Sequence, residues 1–263
     1  MLATALDSLI TYNPWTLSST TPLREAARLL DETGVCHWPI VDEQGVLVGT
    51  LSATALSSAL EQPVAAQDDV RPYIDSSATA VELTACPLTT LTELLASGRR
   101  MAAVTDGGRV IGTLSTADFL RELSYGTGRF ARELVIEHMQ KALETIDSDA
   151  SLEQALAIVA DGASHLVVVQ GDFPLGALTF ASLSLARAQQ AARRLNGSLR
   201  PNRNVGQLLQ SAPTVPPGRT LCEAASVMVE HQLDAIAVAN QGAHLVGVLT
   251  EERILQAMVE FER

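Results

Sequence analysis

Arg109-Val-Ile-Gly-Thr-Leu-Ser115-Thr-Ala-Asp118-Phe-Leu120 changes its periodicity halfway along. Val110–Leu114 is an apolar, β-branched run of strand length. It passes without a linker into a helix that starts after Ser115. Serine is a favoured N-cap, and Asp118, three residues on, completes a capping box and suits the positive end of the helix dipole. Taken alone, the stretch predicts one strand running directly into one helix.

The same join occurs four times, as Gly49-Thr-Leu-Ser52, Gly112-Thr-Leu-Ser115, Gly176-Ala-Leu-Thr179 and Gly247-Val-Leu-Thr250, with the glycines 63, 64 and 71 residues apart. Self-similarity at a near-fixed period marks a repeat architecture. Upstream of each glycine, by 24 to 26 residues, a helical segment opens at Leu23, Leu88, Leu152 and Leu221. Between helix and glycine lies a second apolar run: Trp38–Val41, Ala102–Val104, Leu166–Val169 and Ala235–Val238. Each run ends in a hairpin-type turn, at Asp42–Gly45, Asp106–Gly108, Gly171–Pro174 and Asn240–Gly242. One copy therefore reads strand, helix, strand, tight turn, strand, helix, which is an α/β fold.

This order, with Gly-apolar-apolar-Ser/Thr at the last strand-to-helix join, resembles the cystathionine-β-synthase-type (CBS) domain family over nearly the whole chain. The resemblance implies four tandem CBS repeats (strand-helix-strand-strand-helix) paired into two pseudo-twofold Bateman modules. Module 1 would span 1–125, with repeats at about 1–62 and 68–125. A linker at 126–133 and module 2 at 134–263, with repeats at about 134–196 and 205–263, complete the chain. Family members bind ligands, usually adenine nucleotides, in clefts between paired repeats.

The family motif closes on an Asp, three residues after the Ser/Thr, that holds ribose hydroxyls. The four copies carry Ala55, Asp118, Ser182 and Arg253 there, so the second copy alone is intact. The resemblance implies Ser115 for phosphate, Asp118 for ribose, and Thr79 and Ala80 against the base. Arg99, Arg100, His37 and His165 stand at or near the family's phosphate-contacting position, and Thr179 and Thr250 are the counterparts of Ser115. The chemistry is coherent, because a helix N-terminus attracts anions and a carboxylate accepts two hydrogen bonds from a vicinal diol. A second reading stays open for each group: Ser115 and Asp118 as a helix cap, the arginines as solvated loop residues, the histidines as partly buried loop residues. In the fourth copy Arg253 cannot accept from ribose hydroxyls, and Glu251 and Glu252 would repel phosphate.

The net charge of −12 and pI near 4.8 argue against nucleic acid, which needs a basic face. With 47% apolar but only 4% aromatic residues, the core must be built from Ala, Leu and Val. Cys36, Cys86 and Cys222 are scattered, fitting reduced thiols in a cytoplasm. No stretch reaches membrane-spanning length, and a cytoplasmic protein that binds no membrane is expected. Arg187, Arg193, Arg194, Arg200 and Arg203 form the one basic concentration, read either as a face bridged to acidic neighbours or as a patch for phosphates or an acidic partner. With no nucleophile-base order and no metal-spaced His/Cys set, no enzyme, no metal site and no required cofactor are expected. The function expected is a regulatory sensor of AMP, ADP or ATP that acts on a protein partner or by self-association through module helices. The alternative is a structural CBS scaffold whose ligand sites are largely degenerate.

Overall fold

The computed structural model describes residues 5–61, 68–78, 80–126, 129–141, 143–197, 204–209 and 213–262. The first copy holds β1 (Thr11–Tyr12), β2 (Leu17–Ser18), α1 (Leu23–Thr33), β3 (His37–Val41), β4 (Leu47–Ser52) and α2 (Ala53–Leu60). The second holds β5 (Ala80–Glu82), α3 (Pro87–Ser97), β6 (Met101–Asp106), β7 (Arg109–Ser115) and α4 (Thr116–Ser124). In the third follow α5 (Val135–His138), β8 (Thr145–Asp147), α6 (Leu152–Ala160), β9 (His165–Gln170), β10 (Phe173–Thr179) and α7 (Phe180–Leu195). The fourth comprises α8 (Leu221–Glu230), β11 (Ala235–Ala239), β12 (Leu245–Thr250) and α9 (Glu251–Glu262).

In the first three copies a short opening strand lies parallel to the first strand of an antiparallel hairpin. The fourth reduces that opening strand to one parallel bridge, Val215 with Val238. Pro213, Pro216 and Pro217 crowd this segment, and prolines cannot donate to a ladder. The turn expected at Gly171–Pro174 is shorter than its sequence suggests, because Phe173 already pairs with Gln170.

The motif glycines have a steric reason. Thr50, one residue after Gly49, exchanges both backbone hydrogen bonds with Asp75 of the second copy, at 3.0 and 2.8 Å. Thr113, one after Gly112, faces Thr11 of the first copy. Val248, one after Gly247, exchanges bonds of 2.8 and 3.0 Å with Gln140 of the third. The first three copies thus lay their opening segments across the glycine of a partner copy. The corresponding segment before Pro213 lies outside the described residues. A Cβ on Gly49 would stand 2.5 Å from Ile74 Cγ2 and 2.7 Å from the Asp75 carbonyl oxygen. Because backbone cannot yield cheaply, Gly49→Ala should lose about 1–2 kcal/mol of stability. Chemical denaturation checks this, and an unchanged midpoint would contradict the close approach.

Each copy also begins with a buried apolar anchor: Leu6, Val70, Val135 and Val205 are all fully buried. The helices close the structure across the copies. Helix α4 packs on α8 and α9, and α3 on α9, around one core that includes Leu91, Phe119, Leu221, Met228, Leu255 and Met258. Helix α7 packs on α1 and α2, where Ala188 and Ala192 let it approach the first copy's Leu30, Trp38 and Leu56. Sheets therefore join copies one with two and three with four, while helices join one with three and two with four. The sequence left open whether these helical faces are buried within one chain or between two, and here they are buried within the chain. Arg187 pairs with Glu61, and Arg193 with Asp31 at 2.8 Å, so this part of the basic concentration is bridged to the acids of the first copy. Arg200 and Arg203 lie outside the described residues. Among the described residues no helix is long and apolar enough to cross a membrane.

Candidate functional site

The hairpins bring the first residue of β3, β6, β9 and β11 beside the start of that copy's last helix. His37 pairs with Ser52, Met101 with Ser115, His165 with Thr179 and Ala235 with Thr250. In consequence the first helical N–H donates to a carbonyl just upstream of the strand: Ala53 to Cys36 at 2.7 Å, Thr116 to Arg100 at 3.0 Å, Glu251 to Asp234 at 2.9 Å. Cys36, Arg100, Ser164 and Asp234 are thus equivalent positions, and so are Ala53, Thr116, Phe180 and Glu251.

Side chains from these positions meet. The Arg100 guanidinium donates to Asp234 at 3.3 Å and to Glu251 at 2.9 Å, joining the second copy to the fourth. The Thr179 hydroxyl of the third copy donates to Asp234, and the Thr116 side chain lies close enough to Glu251 to favour its charged form. Cys36 and His37 of the first copy lie near enough to feel the charge of Arg100. The Glu251 side chain is only 6% exposed, against 35% for Arg100. Burial raises the Glu251 carboxyl above the ordinary glutamate range; Arg100 and Thr116 oppose this, while Asp234 and Asp118 add to it. Burial, then Arg100, holds the His37 imidazole down at about 4, so at neutral pH it is uncharged.

A raised carboxyl binds its proton more tightly in the folded chain than in the unfolded one. Its favourable contribution is therefore present below the ordinary glutamate range and declines as pH rises through the raised value. Glu251→Gln removes that decline. The stability of the variant relative to wild type should increase as pH goes from about 4 to about 7. Parallel melting-temperature curves over that range would rule this out.

Asp118, 7% exposed, is fully engaged: one oxygen accepts from the Ser115 N–H at 2.8 Å and hydroxyl at 2.6 Å, the other from Arg121 at 2.8 Å. The Ser115 hydroxyl and Asp118 thus form the capping box, with both carboxylate oxygens already paired. Arg99 turns away from Arg100 and donates to Asp75 at 3.1 Å and Ser77 at 2.6 Å. Ala80 opens β5 opposite Ala103, and Thr79 lies outside the described residues. Thr250 accepts from the Arg253 N–H at 3.2 Å. The Arg253 side chain reaches Glu260 at 3.2 Å and His138 at 3.3 Å. Glu133, Glu137 and His138 gather one potential metal-ligand atom each within 4.8 Å, but this guanidinium places a positive charge against them.

His165 is the unusual member. It is 5% exposed, its Nδ1 is 2.8 Å from the Ser164 hydroxyl, and its buried Nε2 has no hydrogen-bond partner among the described residues. Burial lowers its pKa, so it too is neutral rather than a cation for phosphate.

Asp234, Glu251 and Thr116 were not singled out as site residues from sequence. The signal existed, since Asp234 precedes Ala235 at the register where Arg100 precedes Met101. For Glu251 the sequence supports only repulsion of a phosphate within the fourth copy, not a pairing with the second.

The CBS domain family model matches residues 6–62 and 205–260. No curated protein matches the chain. A solved structure from Methanocaldococcus jannaschii, described as a proposed archaeal homologue of g-AMPK, superposes with a TM-score of 0.75 at 17% identity. It covers 97% of this chain and 99% of its own. An uncharacterized conserved protein from Pyrococcus horikoshii gives 0.65 at 17% identity with the same coverage. At that identity the likeness is one of fold, and it extends over all four copies, including the second and third.

Proposed function

This chain is a CBS-domain protein, and on that premise we propose that it is a regulatory sensor of an adenine nucleotide, AMP, ADP or ATP. The ligand binds in a cleft between paired repeats, and modules 1–125 and 134–263, joined by 126–133, change their packing or their hold on a protein partner. The observation that carries this reading is the unpartnered Nε2 of His165, buried next to the hairpin pairing with Thr179. A buried polar atom left unpaired costs about 1–3 kcal/mol. A ligand hydrogen bond would remove that cost. Transmission follows from the shared cores: a ligand with different affinity for two packings of α7 on α1 and α2, or of α4 on α8 and α9, shifts their balance.

The scaffold reading has its own support in the fully paired Asp118 and in the acids that hold Arg100 and Thr179. A thermal-shift panel of AMP, ADP and ATP on wild type and His165→Phe separates the two. Ligand at 100 times its dissociation constant adds about 2.7 kcal/mol, or roughly 5–11 °C for a chain of this size. A shift that is lost in His165→Phe supports the sensor; no shift with any of the three supports the scaffold.

A further inference from the structure

We propose that Asp234 and Glu251 are specificity determinants: as built-in anions they hold the donors that a ligand phosphate would need, so affinity falls with phosphate charge, from adenosine through AMP to ATP. The inference rests on the ligand-binding reading and narrows its ligand class.

Three donors at the junction of the copies are suited to an anion: the Arg100 guanidinium, the Thr179 hydroxyl and the Thr116 hydroxyl. Arg100 and Thr179 are both bonded to carboxylates of the fourth copy, and the Thr116 side chain lies close enough to Glu251 to favour its charged form. The helix starts offer little in their place. The first N–H groups of α2, α4 and α9 donate to the carbonyls of Cys36, Arg100 and Asp234, and the Ser115 N–H donates to Asp118. Charge points the same way. Two carboxylates face one guanidinium, Asp118 lies close enough to raise Glu251 further, and His37 and His165 are neutral. A triphosphate brought here would displace the acids from Arg100 and leave them buried beside its own charges. A ribose or base needs only hydrogen bonds, and the free Nε2 of His165, one strand pairing from Thr179, can provide one.

The test is isothermal titration of adenosine, AMP and ATP against the full chain as wild type, Asp234→Asn, Glu251→Gln and the double variant. Both replacements keep the shape and an acceptor oxygen while removing charge. Should the double variant fail to fold, Asp234→Ser supplies the residue that the third copy carries at the same register, Ser164. Wild type is expected to bind adenosine at least about tenfold more tightly than ATP, with AMP between them. Neutralising the acids should tighten ATP by about tenfold and change adenosine by about twofold or less; tenfold corresponds to about 1.4 kcal/mol. An ATP affinity unchanged or weakened in the variants, while adenosine or AMP still binds, overturns the assignment and leaves the sensor standing. Preference of wild type for ATP overturns it as well. No binding of any of the three by any of the proteins overturns the sensor and this assignment together.

Discussion

Arg100→Ala is expected to lower the unfolding free energy by about 3 kcal/mol at neutral pH, the low end of the range for removing one partner of a buried ion pair. Two features set the size. The Glu251 side chain is only 6% exposed, so without Arg100 its charge is left uncompensated in a poorly hydrated place, with Asp234 alongside. The guanidinium itself is about a third exposed, and water screens part of its interaction, which keeps the effect from the top of the range. Arg187 offers the control. It pairs with Glu61 in a contact more than two-fifths exposed on both sides, and its removal should cost about 1 kcal/mol or less. The loss at Arg100 should also be repairable, because Asp234→Asn and Glu251→Gln in the alanine background remove the charges that made it costly. Urea denaturation of the four proteins measures all of this. A loss at Arg100 no larger than that at Arg187, or no recovery on neutralising the acids, would show that the junction is solvated and not a buried cluster.

The repeats were legible in the sequence because their signals are local. The Gly-apolar-apolar-Ser/Thr joins, the helices opening at Leu23, Leu88, Leu152 and Leu221, and the runs at Trp38, Ala102, Leu166 and Ala235 all fall within their observed elements. Helix α3 was displaced by one residue, since Pro87 takes the first helical position. What could not be read was the partner of each surface. The glycines were visible as a pattern, yet their cause is backbone from another copy some 25 to 110 residues away, at Asp75, Thr11 and Gln140. Arg100 shows the same limit more sharply. It stands at the position the family resemblance assigns to phosphate, but its contacts are with residues 134 and 151 positions further on. No local pattern announces an ion pair of that span, and propensity and periodicity are silent about it. Asp118 was legible in both of its readings, and the geometry satisfies the local one, the helix cap.

The second large effect is one of pH. His37 is held at about 4 in the folded chain, below its ordinary value of 6.5. Above about 6.5 both folded and unfolded chains carry it neutral, and its full contribution to stability is present. As pH falls through 6.5 the unfolded chain gains a proton that the folded one refuses, and stability is lost until about 4, where both are protonated. Between pH 7 and 5 this amounts to about 2 kcal/mol. His37→Gln, which has no proton to gain, should flatten the curve by that amount. Glu251 works in the opposite sense, gaining stability on acidification, so the comparison is cleanest in a Glu251→Gln background. Carboxylates held low by their partners, such as Glu25 beside Arg28 and Asp75 beside Ser77 and Arg99, lose their contribution only below the ordinary carboxylate range and leave this window clear. Urea titrations at pH 7 and pH 5 decide it. If the two proteins lose stability in parallel, His37 is solvated or charged in the fold, and the neutral, phosphate-poor junction inferred around Arg100 loses one of its supports.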